Sequence, residues 1–508
     1  MTFNCVVNAL WRLSRPFRVA GAAEVPPPRA QASDVERSAA PADRPKSTLV
    51  ARATRSSDAT RLGREGHSLT AAAYVAWACI TIVLVPAPGL AADTTPDEDA
   101  APSSVKISGF LDALGAYTYS EPSHWSRAVG RLQLNATGGF SENVKWKLGG
   151  RVDVDPVYFS NDFYPDAVQR DQRLRFFHGE NYIDVSTGDW NFRFGAQQIV
   201  WGEVVGLFFA DVVSAHDLRE FLLPSFDIIR IPQWAARAEY FKGDSHLELV
   251  WIPVPVFDEI GKPGSDFYPA PLPHPLPREI EALFSNPDRP ARTIGNGNFG
   301  IRANTLIDGW DVAGFYYRSF STSPTFYQVP GPSPDLPFAF EPRYDRIWQT
   351  GATMSKDFED FVLRAEAVYT NGQGFSVSDP AVSNGVAKRN TLDYIVSFDI
   401  PLPHDTRLNL QAFQNKVLGG DSDFEIKRND YGASVLISSK ITSKLEPQLL
   451  WIQYAKEGGG LIRPRLNWYP ARNTTVGFGV DIFTGPADGF FGQYNHRDRA
   501  YAELRYDF

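Results

Sequence analysis

The stretch NVKWKLGGRVDVD, residues 143–155, alternates between apolar and charged side chains. Trp146 and Leu148 fall on one face of an extended strand, and Lys145 and Lys147 fall on the other. Alternation with a period of two indicates a β-strand that has one face in an apolar medium and the other in water. That apolar medium can be a protein core or a lipid bilayer, and the rest of the chain distinguishes the two.

The same alternation, followed by a break, recurs from residue 105 to the C-terminus. We count 18 candidate strands, which start near residues 105, 127, 143, 173, 189, 233, 245, 296, 309, 343, 358, 390, 404, 428, 443, 460, 472 and 497. The breaks of even rank are short and those of odd rank are mostly long, with the first and eighth odd-ranked breaks as short exceptions. Outer-membrane barrels have an even number of antiparallel strands, short periplasmic turns and long outer loops. The sequence therefore predicts an all-β fold, a transmembrane antiparallel β-barrel of about 18 strands (16–18), over residues 105–508.

Aromatic residues lie beside the short breaks. Phe140 and Trp146 flank the first of them, and Trp190, Trp310 and Trp468 lie beside others. This agrees with the aromatic girdle at the periplasmic interface of a barrel, although aromatic residues of a protein core would give the same pattern. The charged faces favour the bilayer, because a Lys or Arg that faces lipid at mid-bilayer costs about 2–4 kcal/mol. We therefore expect the charged faces to line a water-filled lumen, which a barrel of this size can enclose.

The C-terminal strand YAELRYDF, residues 501–508, alternates in the same way and ends on Phe508. It resembles the closing strand of outer-membrane barrels, whose terminal aromatic residue is read by the barrel-insertion machinery. This resemblance implies that Phe508 contacts the insertion machinery. It also implies that the chain lies in the bacterial outer membrane, in contact with lipid and lipopolysaccharide.

The N-terminal part of the chain is predicted to be a leader. Residues 61–92 read as a secretory signal peptide, with basic residues, an apolar run and small residues before an expected cleavage after Ala91 or Ala92. Residues 1–60 are either an unusually long disordered leader or the product of a mis-called start site. Residues 93–104 are predicted to be a disordered, acidic N-terminus of the mature protein.

Charge and cysteine content exclude several classes of function. The chain carries a formal net charge of −9 and residues 1–92 carry +5, which leaves −14 on the remainder. Such an acidic protein does not attract nucleic acid. Both cysteines, Cys5 and Cys79, precede residue 93, so the predicted mature chain has no thiol catalysis, disulfide or thiolate metal site.

No catalytic motif is apparent in the sequence. HExxH, GxSxG and glycine-rich phosphate loops do not occur. His246 is the one histidine well inside a predicted strand and on its inward face, and no serine partner for it is evident. We therefore predict that the protein is not an enzyme and that it uses no cofactor or metal.

Strand parity places a set of charged side chains on the inner face of the predicted barrel. These candidate pore-lining residues are Arg131, Lys145, Lys147, Arg151, Arg193, Arg237, Glu239, Arg302, Arg364, Glu366, Arg463 and Arg465. One interpretation is a basic ladder that guides an anionic solute, as rings of Lys and Arg do in anion pores. The other interpretation is that these residues form ion pairs that keep the wall rigid and wet.

Residues 201–232 separate two predicted strands and are unusually apolar for an outer loop. Within them SAHDLREFL has the pattern of a helix start, with Ser214 as N-cap and Leu218, Phe221 and Leu222 on one face. We expect this segment either to fold into the pore and constrict it or to pack on the barrel rim.

A short pattern around the start of this segment resembles a known group of proteins. The pattern is Gly-x-Gln-x-x-x-Trp-Gly-Glu, formed by Gly195, Gln197, Trp201, Gly202 and Glu203. It is similar to proteobacterial outer-membrane porin-like proteins of unassigned substrate, which are similar in architecture to alginate-export barrels. The resemblance implies a barrel transporter and does not carry over a substrate. The candidate constriction residues are Gln197, Trp201, Glu203, Asp217 and Arg219.

A proline-rich stretch at residues 256–295 follows in the next long break. Ten prolines lie between Pro253 and Pro290, and proline stiffens extended backbone and blocks edge pairing. This stretch is expected to be an exposed, rigid loop; the alternative is a lid over the pore mouth.

These patterns predict a porin-like outer-membrane channel for diffusion of small organic or anionic solutes. The expected partners are membrane lipid, lipopolysaccharide, the insertion machinery and a small-molecule solute, but not nucleic acid. One alternative is the barrel component of an export or assembly system. A second alternative is an adhesin, or a barrel that forms a sheath for a partner protein.

Overall fold

A computed structural model describes residues 105–159, 162–204, 206–207, 209–269, 276–334, 336–377, 381–420, 424, 429–456, 458–487 and 489–508. The predicted leader, signal peptide and acidic N-terminus lie outside the described residues.

Eighteen antiparallel strands form one sheet that closes on itself. The barrel strands are β1 (Lys106–Thr118), β2 (His124–Ser141), β3 (Val144–Val154), β4 (Leu174–His178 and Asn181–Thr187), β5 (Trp190–Gln197), β6 (Gln233–Lys242), β7 (Ser245–Ile252), β8 (Asn298–Ile307), β9 (Trp310–Phe320), β10 (Arg346–Asp357), β11 (Val362–Ser376), β12 (Val386–Leu402), β13 (Thr406–Leu418), β14 (Asp430–Ser439), β15 (Leu445–Tyr454), β16 (Gly460–Ala471), β17 (Thr474–Thr484) and β18 (Arg499–Asp507). The predicted antiparallel barrel of about 18 strands is confirmed.

The first and last strands meet at the seam of the barrel. β1 pairs with β18 from Phe110 opposite Asp507 to Thr118 opposite Arg499. Phe508 continues this ladder beyond β18, because its N–H and C=O bond to Gly109 at 3.0 and 2.8 Å. Closure leaves neither terminal strand with an unpaired edge, which is how barrels avoid edge-to-edge association.

Connection lengths follow the predicted parity. The connections of even rank have two to five residues: 142–143, 188–189, 243–244, 308–309, 358–361, 403–405, 440–444 and 472–473. Those of odd rank are 119–123, 155–173, 198–232, 253–297, 321–345, 377–385, 419–429, 455–459 and 485–498. Asp308 and Gly309 both have positive φ, 50° and 77°, as a two-residue turn between twisted strands requires. The alternation of short and long connections is confirmed.

The long connections contain the few elements outside the barrel sheet. The helices are Asp166–Gln172, Phe226–Ile229 and Arg278–Glu281, and the 3₁₀ turns are Pro156–Tyr158, Ile294–Asn296 and Gly492–Tyr494. Ala215–His216 pairs with Arg230–Ile231, and Thr325–Ser333 pairs with Leu336–Arg343. No helix in the described ranges is long and apolar enough to span a membrane.

The distribution of side chains is the reverse of that in a water-soluble domain. On β2, Arg131 is 5% exposed, whereas Leu132 and Leu134 are 39% and 47% exposed. On β16, the apolar Leu466 and Trp468 are exposed as well. Large apolar side chains therefore cover the outside of the barrel, and charged groups are enclosed by it.

Aromatic side chains pack against one another around the short-turn end of the barrel. Ring centroids lie 4.8 Å apart for Trp190 and Tyr240, and 5.8 Å apart for Trp310 and Phe358. Contacts between aromatic rings of neighbouring strands at this end match the predicted girdle in position.

Candidate functional site

The chain leaves the wall after β5, and the described residues between 198 and 232, which we call the crossing segment, run through the barrel interior. Two buried amides mark where it leaves and returns. Gln197 donates to the carbonyl of Ala235 at 3.1 Å. Gln233 donates to the Val256 carbonyl at 3.0 Å and accepts from the Val256 N–H at 2.9 Å. These bonds satisfy backbone groups at the place where the strand ladder ends.

Trp201 is the first anchor of the crossing segment. It is 1% exposed, and its indole N–H donates to Glu248 of β7 at 3.1 Å. Its ring packs against Phe315 and Tyr317 of β9, with centroids 5.2 and 5.7 Å away. Gly300 on β8 makes room for this ring, because a Cβ there would lie 2.5 Å from the indole.

Glu366 on β11 is the second anchor. One carboxylate oxygen accepts from the N–H groups of Glu203 and Val204, the latter at 2.6 Å, and the other accepts from the Ala210 N–H at 2.9 Å. A single wall carboxylate therefore binds three backbone amides of the crossing segment. Hydrogen bonds to an ionised acceptor are roughly twice as strong as those between neutral groups.

Glu203 adds contacts on the neighbouring wall. Its carboxylate accepts from Arg302 of β8 at 3.3 Å and from the Thr353 hydroxyl of β10 at 2.9 Å. Trp201, Glu203 and Glu366 together attach the early part of the crossing segment to β7–β11.

Glu220 attaches the segment to the opposite wall. Its carboxylate lies 3.0 Å from Arg127 and 3.2 Å from Arg131 on β2, and 3.3 Å from Arg499 on β18. All four side chains are buried. Burial alone would raise the pKa of the Glu220 carboxyl, but the three guanidinium groups outweigh burial and lower that pKa to about 2.

Asp217 and Arg219 extend this ionic cluster. Asp217 bonds Arg175 of β4 at 2.5 Å, and Arg219 reaches Asp171 at 3.0 Å and Glu259 at 3.2 Å. Burial opposes ionisation of Asp217, but Arg175 and Arg219 lower the pKa of its carboxyl well below the usual range. The predicted constriction residues Asp217 and Arg219 therefore lie together, and each forms ion pairs with other side chains.

His216 links the crossing segment to the connection between β7 and β8. Its ring nitrogens lie 3.7 Å from Asp211 and 3.6 Å from Asp258. Burial favours the neutral imidazole, but the two carboxylates outweigh it and raise the pKa of His216 to about 9. The imidazole is therefore charged at neutral pH and bridges two carboxylates. Arg230 also binds Asp211, at 2.9 Å.

Aromatic packing completes the attachment on the side of β13–β17. The ring of Phe221 lies 4.9–5.7 Å from those of Phe490, Phe491 and Tyr494, and Phe209 lies 5.9 Å from Phe413 of β13. The crossing segment thus contacts strands on opposite sides of the barrel.

Nine of the ten predicted pore-lining cations form ion pairs in the barrel. The pairs are Arg131 with Asp112, Lys147 with Glu180, Arg151 with Asp153, Arg193 with Asp184, Arg237 with Glu239, Arg302 with Glu203, Arg364 with Asp399, Arg463 with Asp481, and Arg465 with Glu503. Lys145 is exposed near a short turn, opposite Asp184, which Arg193 occupies. The geometry favours the paired-wall interpretation over a free basic ladder.

The predicted helix at SAHDLREFL is wrong. Ala215–His216 forms a short strand with Arg230–Ile231, and the Asp217 N–H donates to the Ile229 carbonyl at 2.7 Å. Ser214 donates its hydroxyl to the Ile199 carbonyl at 3.1 Å instead of capping a helix. Pairing with distant backbone satisfies the groups that a helix would otherwise have bonded.

The proline-rich stretch is enclosed over residues 256–269 but largely exposed over residues 277–295. Phe257, Asp258, Asp266, Phe267 and Tyr268 are all buried. The Glu259 N–H donates to the His216 carbonyl at 2.9 Å, so this connection packs onto the crossing segment. Residues 256–269 therefore cover the crossing segment as the lid interpretation expects, and residues 277–295 fit the expected exposed loop.

Several residues of the interior were not among the sequence candidates. Arg127, Arg175 and Arg499 lie on strands, so their alternation with outward-facing residues could have identified them as inward-facing. No sequence pattern indicates that Glu220 faces the wall, because its orientation depends on a non-helical fold of the crossing segment. Among the described residues no group of three or more His, Cys, Asp or Glu side chains could hold a metal ion.

Residues 131–508, which include the crossing segment and every strand from within β2 onward, match the family described as "Protein of unknown function (DUF1302)". The chain belongs to the DUF1302 family. This agrees with the predicted resemblance to porin-like proteins of unassigned substrate, and the similarity to alginate-export barrels stays a prediction. No curated protein matches this DUF1302 chain.

Solved outer-membrane structures match the DUF1302 barrel at low identity. Pseudomonas aeruginosa OccK8 (OprE) has a TM-score of 0.47 and 10% identity, over 80% of this chain and 99% of its own. Pseudomonas aeruginosa OpdK with vanillate has a TM-score of 0.44 and 10% identity, over 79% and 98%. Salmonella typhi OmpF in complex with daunomycin has a TM-score of 0.42 and 10% identity, over 80% and 98%.

Proposed function

We propose that this protein is an outer-membrane channel through which small solutes diffuse. The observation that carries the proposal is the inverted distribution of side chains, with exposed Leu132 and Leu134 outside the barrel and buried Arg131 inside it. Hydrocarbon accommodates exposed leucine side chains and excludes charged ones, whereas a water-filled lumen accommodates charged side chains and their ion pairs. Phe508 remains the predicted contact for the insertion machinery.

Permeation in this proposal needs no covalent chemistry. The crossing segment narrows the lumen, and the paired wall keeps the passage hydrated without a strong net field. Selection then depends on the width beside the crossing segment and on the groups that it presents to the solute. Gln197, Trp201, Glu203, Asp217 and Arg219 act by holding the segment in place.

Recordings from planar bilayers test this function. The purified full-length chain, refolded into detergent and added to the bilayer, is expected to give discrete, repeated current steps at constant voltage. The same preparation denatured by heat before addition serves as the control. A folded barrel that inserts without producing current steps would contradict the channel and favour a sheath or adhesin.

A barrel that serves an export system is the second candidate. It is favoured by the contacts of the crossing segment with opposite walls, through Glu366 on β11 and Arg499 on β18. A large cargo could pass only if a partner displaced the segment. Current steps that appear only after a periplasmic partner is added would support this candidate over free diffusion.

A further inference from the structure

A cavity lies on the long-connection side of the crossing segment, and we call it the vestibule. Its floor is formed by residues of the crossing segment from Leu207 to Leu222, and its walls by the ends of β9–β13 and β15. Its empty volume is about 1510 Å³, including the space open to solvent. We propose that the vestibule is a binding site for an uncharged organic molecule built on one or two aromatic rings. This inference rests on the proposed channel, whose solute it specifies.

Aromatic side chains form much of the vestibule surface. They include Phe209, Phe221, Phe375, Phe413, Phe490 and Phe491. They come from the crossing segment, from the wall and from the connection between β17 and β18. Aromatic pairs prefer offset or edge-to-face contacts with centroids about 4.5–7 Å apart, so rings on several sides can hold a flat ring between them.

Charged groups at the vestibule are balanced by one another. Asp211 and Asp258 face His216, and Asp211 also binds Arg230. Two negative and two positive groups therefore form one compact neutral set beside the cavity. Removing a charged solute from water into such a place costs free energy that no free opposite charge offsets.

The remaining charges do not favour an anion. The Asp393 carboxyl group accepts from the Asn415 amide at 2.7 Å and from the Thr391 hydroxyl at 3.1 Å. Lys416 is among the residues that line the cavity, but it is exposed and alternates along β13 with the buried Val417, which directs its side chain toward the outer face of the strand. Among the described residues of the lining, an anionic solute would meet carboxylates, while the imidazole of His216 lies between two of them.

Uncharged polar groups supply the remaining specificity. Gln349 donates to the Thr370 hydroxyl at 3.2 Å, and Gln373 and Asn415 lie on the same cavity surface. Amides and hydroxyls can bond a hydroxyl or carbonyl group on the solute without requiring charge. A few polar groups within a mostly apolar lining is the usual composition of small-molecule sites. A neutral phenol with fused rings fits all three features.

Equilibrium binding of two matched probes tests this assignment. The probes are 2-naphthol, which is neutral at pH 7, and 2-naphthoate, which has the same ring system and a negative charge. Titration calorimetry uses the full-length chain in lipid nanodiscs, with empty nanodiscs as the reference for partitioning into lipid. We expect saturable binding of 2-naphthol that is about tenfold or more tighter than that of 2-naphthoate, and tenfold corresponds to about 1.4 kcal/mol.

Variants locate the binding site. Phe413→Ala and, in the crossing segment, Phe209→Leu are each expected to weaken 2-naphthol binding about tenfold, because each removes one aromatic wall. Phe299→Ala is the matched control, since Phe299 is exposed on β8 away from the vestibule. Heat-modifiable migration on gels confirms that each variant is folded, and Phe209→Leu remains informative if Phe413→Ala does not fold.

Three outcomes would overturn the inference: equal binding of both probes, tighter binding of 2-naphthoate, or 2-naphthol binding that neither vestibule variant weakens. Calorimetry measures binding without any current, so its result is independent of the bilayer recordings that test the channel. Current steps without 2-naphthol binding would refute the vestibule site alone. Saturable binding that Phe209→Leu weakens, without current steps, would refute the channel alone.

Discussion

Glu366→Ala is expected to raise single-channel conductance and to make the open-channel current noisier than in the unchanged protein. The substitution removes the acceptor for the N–H groups of Glu203, Val204 and Ala210. Each N–H left without a partner in the interior costs about 1–3 kcal/mol. The early part of the crossing segment should therefore detach from β11 and sample positions that widen the passage.

Glu239→Ala provides the matched control for this prediction. Glu239 is also an inward carboxylate, but it bonds a wall residue, Arg237, at 2.6 Å and lies 3.2 Å from the His246 ring. Its removal takes away one lumen charge without releasing backbone of the crossing segment. Conductance that changes equally in both variants would assign the effect to charge, and unchanged conductance in Glu366→Ala would refute the anchor.

Glu220→Ala is expected to cause the largest loss of stability of any single substitution considered. Glu220 faces Arg127, Arg131 and Arg499, and all four side chains are buried. Removing one partner of a buried ionic group typically costs about 3–5 kcal/mol, because the remaining charges lose their compensation. The measurement is the urea concentration at which the folded form, seen by its faster gel migration without heating, disappears.

Glu341→Ala is the control for Glu220→Ala. Glu341 pairs with Arg343 in the hairpin of the β9–β10 connection, where the Arg343 side chain is 42% exposed. Exposed pairs contribute about 0–1 kcal/mol, so this variant should unfold at nearly the same urea concentration as the unchanged protein. Equal effects of the two substitutions would mean that the Glu220 cluster does not hold the interior together.

The barrel could be predicted from sequence because each strand carries its own signal. Alternation such as that of Trp146 and Leu148 against Lys145 and Lys147 specifies which face is apolar, and short turns such as Asp308–Gly309 separate the strands. Strand count and connection parity follow from these local features alone. The inward direction of Arg302 or Arg465 follows from parity in the same way.

The interior could not be predicted, because its contacts join residues far apart in the chain. Glu366 bonds amides about 160 residues earlier in the chain, and Arg499 reaches Glu220 across 279 positions. The residues that follow Ser214 pair with Ile229 and Ile231 instead of forming the helix that the local pattern predicted. No spacing rule in the sequence indicates this pairing. Strand parity places a charged side chain on the inner face of the barrel, but it does not identify the ion-pair partner of that side chain.

The central claim is that hydrocarbon covers the outside of this sheet and water fills its inside. Residues 93–508 contain no cysteine, so single cysteines placed at 132, 133, 134 and 135 of β2 can each carry a nitroxide label. Spin-label accessibility in liposomes should alternate, with oxygen reaching 132 and 134 and a water-soluble nickel complex reaching 133 and 135. Equal access of the nickel complex to all four positions would contradict the account.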